Sequence, residues 1–184
     1  MRNRERGLVT AKVKYPSQLK PTMKEDIKLP SRWIVHIPKT CPVFKKWKGK
    51  KVPRNETYGN KSVLSYKGNA FAEIVILRMF QDAGRNGVWV DTFRQKYRTN
   101  HWPKDEIDLP PKQQRLLNRI SKKLGKEWSG CWDVFCWKMG KVIFAESKKR
   151  KEDSITENQR RWLAAAINCR LPFNSFLLVE WSEK

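Results

Sequence analysis

Apolar residues in the C-terminal two thirds of the chain alternate between helical and strand patterns. The stretch 68–84 is mostly apolar, is long enough for a buried helix and closes with Gly84, a common helix stop. Residues 130–148 form two β-rich runs around Met139-Gly140, which predicts a hairpin. The other predicted elements are a strand at 87–93, a helix running from a Ser154–Glu157 capping box to about Asn168, and a strand at 173–181 buried on both faces. The predicted order is helix, strand, strand, strand, helix, strand, which indicates an α/β fold.

The rest of the chain flanks or interrupts this order. A length of 184 residues is most simply one domain with appendages. Residues 1–67 mix lysine, proline and isolated aromatic residues around a strand-like run at 32–38, and we interpret them as a basic extension that packs partly on the core. Residues 95–129 are polar and read as an insertion into the domain formed by residues 68–184. The insertion contains an amphipathic helix at 112–125, with apolar residues at helical spacing: Leu116, Leu117, Ile120 and Leu124.

The composition indicates a polyanionic partner. Forty lysine and arginine residues stand against 18 aspartate and glutamate residues, so the formal net charge is +22. The first 60 residues contribute +12 of this charge. Such an excess goes beyond the needs of solubility and is typical of nucleic-acid-binding proteins. A solvated basic arm without a specific partner is the alternative for this region, although the nine tryptophans argue against a disordered chain.

Hydropathy and cysteine spacing indicate an intracellular protein. The sequence has no run of about 18 apolar residues, and its N-terminus lacks the apolar stretch of a signal peptide. Its four cysteines form no CxxC pair, so neither a zinc site nor a disulfide framework is expected. We therefore expect a protein of the cytoplasm or the nucleoid, without a membrane partner.

Two carboxylates are predicted to meet on the hairpin. If its loop consists of Met139 and Gly140, then Asp133 stands directly opposite Glu146, with Cα atoms roughly 4.5–5.5 Å apart. Lys148 shares the face of Glu146 because strand side chains alternate with period two. A register shift of one residue would separate the carboxylates onto opposite faces. The predicted pair would repel strongly unless a cation lies beside it.

Two helices are predicted to contribute polar side chains to the same place. Glu73 lies on the apolar stripe of the helix at 68–84, where an unpaired carboxylate is costly. Gln159 is in line with the apolar residues of the later helix, so its amide is directed inward. A hard divalent cation such as Mg²⁺ prefers oxygen ligands and needs few carboxylates. The alternative is an ion-pair cluster around Lys148, which an isolated D…ExK spacing would favour.

These residues resemble the PD-(D/E)XK nuclease superfamily, and most closely its VRR-NUC domains. The similarity covers 68–93 and 130–181 and lies in three motifs, namely Gly130 to Asp133, Glu146-Ser147-Lys148, and Gln159 to Trp162. It implies an αβββαβ restriction-endonuclease-like core with a mixed sheet flanked by helices. Trp132 replaces the proline usual before the aspartate, and the insertion at 95–129 is longer than in compact members.

The resemblance also implies a role for each site residue. Asp133 and Glu146 would bind Mg²⁺ or Mn²⁺, and Glu73 would be a further ligand through water. Lys148 would position or activate the attacking water, and Gln159 would support the site. The implied activity is metal-dependent endonucleolytic hydrolysis of DNA phosphodiester bonds, with junctions or flaps among the expected substrates.

Basic residues next to these motifs are predicted to neutralise phosphates that flank the cut: Lys149, Arg150, Lys151, Arg160 and Arg161. Two other interpretations fit the same charge. One is a non-catalytic nucleic-acid-binding protein, with exposed tryptophans such as Trp47 for stacking. The other is a nuclease subunit of a larger recombination or defence complex. A symmetric cutter would be a homodimer, for which the apolar helix at 112–125 is a candidate surface.

Overall fold

The computed structural model of the protein describes residues 14–53, 62–100, 105–125 and 128–184. Within these ranges the chain forms three α-helices, α1 (Ala72–Asp82), α2 (Pro111–Lys123) and α3 (Glu157–Asn168). It also forms ten strands, β1 (Met23–Lys28), β2 (Ile34–Thr40), β3 (Val43–Phe44), β4 (Leu64–Ser65), β5 (Asn69–Ala70), β6 (Asn86–Asp91), β7 (Lys96–Arg98), β8 (Val134–Lys138), β9 (Lys141–Lys149) and β10 (Phe176–Glu183). The protein is therefore α/β, and each element that the hydrophobic pattern predicted is present.

The main sheet is mixed, with the strand order β1-β2-β10-β9-β8-β6-β7. β10 runs parallel to both β9 and β2, whereas the hairpin β8–β9 and the pair β6–β8 are antiparallel. β3 pairs with the end of β10, and β4 and β5 form a separate two-stranded sheet. β10 is buried on both faces from Phe176 to Val179, as predicted, because Leu177 and Val179 pack in one apolar cluster and Phe176 packs in the other.

The N-terminal region contributes directly to this sheet. β1 and β2, which fall in the segment interpreted as a basic extension, add two strands beyond β10. Val35 and Ile37 of β2 are 1% and 0% exposed, so this strand is part of the hydrophobic core. The tail at 1–13 lies outside the described residues.

Helices cover both faces of the sheet. α1 packs on one face, where Ile74, Leu77 and Phe80 join Ala145 and other residues of the central strands in one apolar cluster. α3 and α2 pack on the opposite face, in a second cluster that includes Trp162, Leu117, Ile120, Phe135 and Phe144. Leu117 and Ile120 are thus buried within the chain and are not available for the dimer surface suggested by the sequence of α2, whereas Leu116 and Leu124 are half-buried. None of the described helices is long and apolar enough to cross a bilayer.

The hairpin register agrees with the prediction. Lys138 faces Lys141 across the loop, and Val134 faces Ala145 at the other end of the ladder. Met139 and Gly140 have φ angles of 47° and 76°, as a two-residue type I′ turn requires at both central positions. The next residues beyond the ladder are Asp133 and Glu146, which are therefore neighbours across the two strands.

The start of α3 differs from the prediction by two residues. The N-cap is Thr156, and its capping-box partner is Gln159 rather than the predicted pair Ser154 and Glu157. Both pairs satisfy the S/T-x-x-E/Q pattern, so the sequence alone does not distinguish them. The structure selects the pair in which Gln159 can also reach β9.

Candidate functional site

Glu146 is a buried carboxylate near the end of β9, with 1% of its surface exposed. Its Oε1 accepts hydrogen bonds from Lys148 Nζ at 2.9 Å and from Gln159 Nε2 at 2.5 Å. Its Oε2 is also buried but has no hydrogen-bond partner among the residues that the structure describes. An unpaired buried carboxylate oxygen is costly, so this atom is suited to a ligand that is positively charged or donates a proton.

The surroundings of Glu146 favour its neutral form or a bound cation. Burial raises the pKa of Glu146 well above its usual value, and the negative charge of Asp133 raises it further. Lys148 lowers this pKa by its charge and hydrogen bond, while Glu73 adds a smaller upward effect. The nearby lysine therefore compensates the buried charge only in part.

Asp133 lies directly before β8 and opposite Glu146. Its Oδ2 accepts a hydrogen bond of 2.9 Å from the backbone N–H of Ser147, and its own carbonyl accepts one of 2.8 Å from Val90 N–H. These two bonds fix the aspartate between β6 and β9. The strand register places Asp133 opposite Glu146, and the charge of Asp133 raises the pKa of Glu146, so the two carboxylates are close to each other.

Lys148 follows Glu146 by two residues on the same face of β9. Only 11% of its side chain is exposed, and its ammonium group contacts Glu146 Oε1. The ammonium group of Lys148 therefore lies within the site rather than in bulk solvent. This placement agrees with the alternation that predicted it.

Gln159 has a fixed orientation. Its Oε1 accepts a hydrogen bond of 2.9 Å from the backbone N–H of Thr156, so its Nε2 is directed at Glu146. Thr156 Oγ1 in turn accepts from the backbone N–H of Gln159 at 3.3 Å. The helix cap thus aligns the amide that binds the site carboxylate. Thr156 was missed as a site-supporting residue, although the T-x-x-Q spacing was available in the sequence.

Gly130 lies next to the N-terminus of α3 and allows the chain before Asp133 to pack closely against it. It has a φ of +82°, and a Cβ added to it would lie 2.2 Å from the backbone oxygen of Asn158 and 2.8 Å from the backbone nitrogen of Gln159. Only glycine permits both this backbone conformation and this close approach. The turn before Asp133 therefore packs directly against the first turn of α3.

Glu73 approaches from the other side of the sheet. It lies in the first turn of α1, is 6% exposed and lines a cavity of about 200 Å³ with Ser147, Lys149 and Trp181. Ser147 and Lys149 alternate with Glu146 and so face α1. Glu73 and Gln159 therefore reach the end of β9 from opposite faces, whereas the sequence placed them together. Glu73 nevertheless lies close enough to Glu146 for its negative charge to raise the pKa of Glu146.

The five basic residues predicted to contact phosphates differ in their surroundings. Arg150, Lys151 and Arg161 are exposed, whereas Arg160 is half-buried and lies 3.8 Å from Glu157. Lys149 Nζ contacts carboxylates of Glu152 at 3.0 Å and Glu183 at 3.5 Å, on the α1 side. Lys149 is therefore engaged by two acidic side chains. Arg150 Nε also lies 4.0 Å from Glu180, but its side chain is 60% exposed, so the three exposed residues remain accessible to a phosphate.

The side chains around Glu146 offer only a few oxygen ligands to a hard divalent cation. Among the described residues, no group of three or more histidine, cysteine, aspartate or glutamate side chains has the arrangement of a metal site. Asp133 and Glu146 nevertheless provide neighbouring carboxylates, and Glu146 Oε2 is unpaired within the described part of the chain. Mg²⁺ is often bound by one or two carboxylates together with waters and substrate phosphates. The residues present fit this mode of binding.

Comparisons of the chain with protein families, curated proteins and solved structures gave no match. Assignment of a function therefore depends on the chemistry of the residues around Glu146.

The raised pKa of Glu146 predicts a pH-dependent stability. As pH increases above the usual value for glutamate, the unfolded chain releases this proton while the folded protein retains it, so folding becomes less favourable until the folded pKa is passed. Glu146→Gln should remove this loss. The melting temperature of the variant relative to the parent should therefore be higher at about pH 8 than at about pH 4. An equal difference at both pH values would contradict the assigned pKa direction.

Proposed function

We propose that the protein is a metal-dependent endonuclease that hydrolyses phosphodiester bonds in DNA. The observation that carries this proposal is the buried Oε2 of Glu146, which has no partner in the residues that the structure describes and lies beside a second carboxylate, while Oε1 is held by Lys148 and Gln159. Such an environment penalises a free carboxylate and favours one that shares a cation with its neighbour.

The topology supports a restriction-endonuclease-like core. In chain order, α1, β6, β8, β9, α3 and β10 give the αβββαβ succession on which the resemblance to PD-(D/E)XK nucleases rests. Asp133 precedes the second of these strands, and Glu146 with Lys148 lies on the third. β7 and α2 of the insertion, and β1 and β2 of the N-terminal region, are additions at the edges and surface of this core.

Each side chain has a distinct task in the proposed reaction. Asp133 and Glu146 would hold Mg²⁺ or Mn²⁺, which when bound supplies Lewis acidity toward the phosphate and lowers the pKa of a bound water. Lys148 would stabilise the developing negative charge or orient the attacking water. Gln159 would keep Glu146 in one orientation. Glu73 would add negative charge from the α1 side of the sheet.

The surface charge supports a nucleic-acid substrate. The formal charge of +22 and the exposed residues Arg150, Lys151 and Arg161 near the site suit a phosphate backbone. Contacts between these basic residues and phosphates carry no information about base sequence. A substrate that is recognised by its shape, such as a flap or a junction, therefore agrees with this surface. Cleavage of both strands at a symmetric junction would require two copies of the chain, which sedimentation with and without DNA would detect.

Metal dependence tests the proposal. Purified protein should cleave DNA in Mg²⁺ or Mn²⁺ and should stop when EDTA is added, with duplex, flap, four-way junction and single-stranded substrates compared side by side. Binding should weaken steeply with salt, by roughly 10³- to 10⁵-fold between 50 and 200 mM if 6 to 10 phosphates are contacted. Absence of cleavage on every substrate and metal, with equal DNA affinity in EDTA, would instead identify a binding protein. Cleavage only after addition of a cell extract would indicate a subunit of a larger complex.

A further inference from the structure

A cavity lined by lysines lies beyond the end of β10, away from Glu146. It has a volume of about 710 Å³ and is lined by residues 45–49, Ser65 and Lys184. Four of these seven residues are lysines, namely Lys45, Lys46, Lys48 and Lys184, and none has an acidic side chain. Trp47 lines the cavity together with these lysines. A volume of this size is within the range of small-molecule sites.

The tryptophan in this cavity is held in place by its surroundings. Trp47 Nε1 donates a hydrogen bond of 2.8 Å to the carbonyl of Lys50, and its backbone N–H donates one of 2.9 Å to Val63. The backbone of Gly49 is so close to the ring that an added Cβ would lie 2.2 Å from Cζ2. The indole is therefore a fixed, half-buried surface rather than a freely rotating side chain.

We propose that this cavity binds an unpaired nucleotide of single-stranded DNA, with its base stacked on Trp47 and the adjoining phosphates contacted by the lysines. Every base has a π-face, so an aromatic ring binds bases without sequence preference, and lysines neutralise the backbone. In a duplex the faces of the bases are covered by their neighbours, so the cavity selects a single strand. A role of this cavity in catalysis rests on the endonuclease function proposed above. In that case the preferred substrate would carry a single-stranded arm.

The cavity lies on a path that leads away from the candidate active site. Leu178 of β10 is paired with Glu146 of β9, and the parallel strands then run in the same direction to Trp181 and Lys184. At about 3.3 Å per residue, six residues place the cavity roughly 20 Å beyond Glu146. Lys46 is tied to this strand end by a backbone hydrogen bond of 2.9 Å to Lys184. At about 3.4 Å per stacked nucleotide, roughly six nucleotides span the two sites.

The proposal is tested by binding measurements in EDTA, where cleavage is not needed. Trp47→Ala should weaken binding of a fluorescein-labelled oligothymidine by about 5- to 150-fold, since one stacked base is lost. Affinity for a blunt duplex of the same length should not change. Trp47→Phe should restore much of the single-strand affinity because it keeps an aromatic face. Trp33→Ala is a matched control, because Trp33 is 58% exposed and lies away from the lysine-lined cavity.

Three results would overturn the proposal. They are unchanged oligothymidine binding in Trp47→Ala, an equal loss in Trp33→Ala, and tighter binding of an RNA strand than of the DNA strand of equal sequence. Thermal melting of Trp47→Phe and Trp47→Ala separates a loss of stacking from a loss of folding. Lys46→Gln provides a second, independent variant and should also weaken single-strand binding.

A cleavage assay connects the cavity to the candidate active site. For a substrate with a single-stranded arm, Trp47→Ala should raise KM with little change in kcat, while a blunt duplex should show no effect. Failure of Glu146-dependent cleavage would remove the endonuclease function but leave the binding result intact. Retained cleavage with unchanged KM in Trp47→Ala would remove only the single-strand site.

Discussion

Glu146→Gln is expected to reduce the rate of DNA cleavage by on the order of 10³-fold, corresponding to about 4 kcal/mol of transition-state stabilisation. Glutamine has nearly the same shape and can still accept hydrogen bonds from Lys148 and Gln159. It lacks the negative charge that would hold a divalent cation together with Asp133. DNA affinity measured in EDTA should be unchanged or slightly tighter, since one negative charge is removed. Single-turnover cleavage and fluorescence anisotropy measure the two quantities separately.

Glu157→Gln is the matched control for this change. Glu157 is a glutamate at the start of α3, but its side chain is 63% exposed and forms an ion pair with Arg160 at 3.8 Å. It should cleave at the parental rate. Because Glu146→Gln removes a buried carboxylate, the variant should be at least as stable as the parent at neutral pH. Cleavage by Glu146→Gln at the rate of Glu157→Gln would reject the assignment of the site.

Gly130→Ala is expected to have the largest effect on stability. A non-glycine residue at φ +82° costs about 1–2 kcal/mol, and forcing a methyl group against the backbone of Asn158 adds about 1–3 kcal/mol. The free energy of unfolding should therefore fall by about 2–5 kcal/mol. Since the first turn of α3 must move, Gln159 would no longer hold Glu146, and cleavage should fall by about 10- to 100-fold. Urea denaturation and initial cleavage rates measure these losses.

Gly125→Ala separates the two causes. Gly125 has a similar φ of +74°, but an added Cβ would have nothing within 4 Å among the described residues. Its loss of stability should be limited to the backbone cost of about 1–2 kcal/mol, without loss of cleavage. Equal losses of stability in the two variants would show that the contact between Gly130 and α3 has no energetic consequence.

Local patterns in the sequence were enough to predict much of the site. The type I′ turn at Met139-Gly140 fixes the register of the hairpin, and this register alone brings Asp133 opposite Glu146. The period of two places Lys148 beside Glu146, and the helical period turns Gln159 inward. Each of these relations joins residues within one element or across one tight turn. Backbone geometry therefore determines them without knowledge of the rest of the fold.

Long-range packing decided what the sequence could not. The N-terminal strands join the sheet because β2 pairs with β10, about 140 residues later in the sequence, and no local signal encodes that pairing. For the same reason the sequence did not predict on which face of the sheet α1 places Glu73. It also did not predict that Glu152 and Glu183 form ion pairs with Lys149.

The sequence by itself determined which polar side chains accompany Glu146, since turn register and side-chain periodicity are local properties of the backbone. The tertiary structure decided that Glu146 Oε1 accepts two hydrogen bonds, whereas Oε2 has no partner among the described residues. That difference depends on the simultaneous positions of β9, α3 and the turn at Gly130, because burial and hydrogen bonding arise only when distant elements pack together.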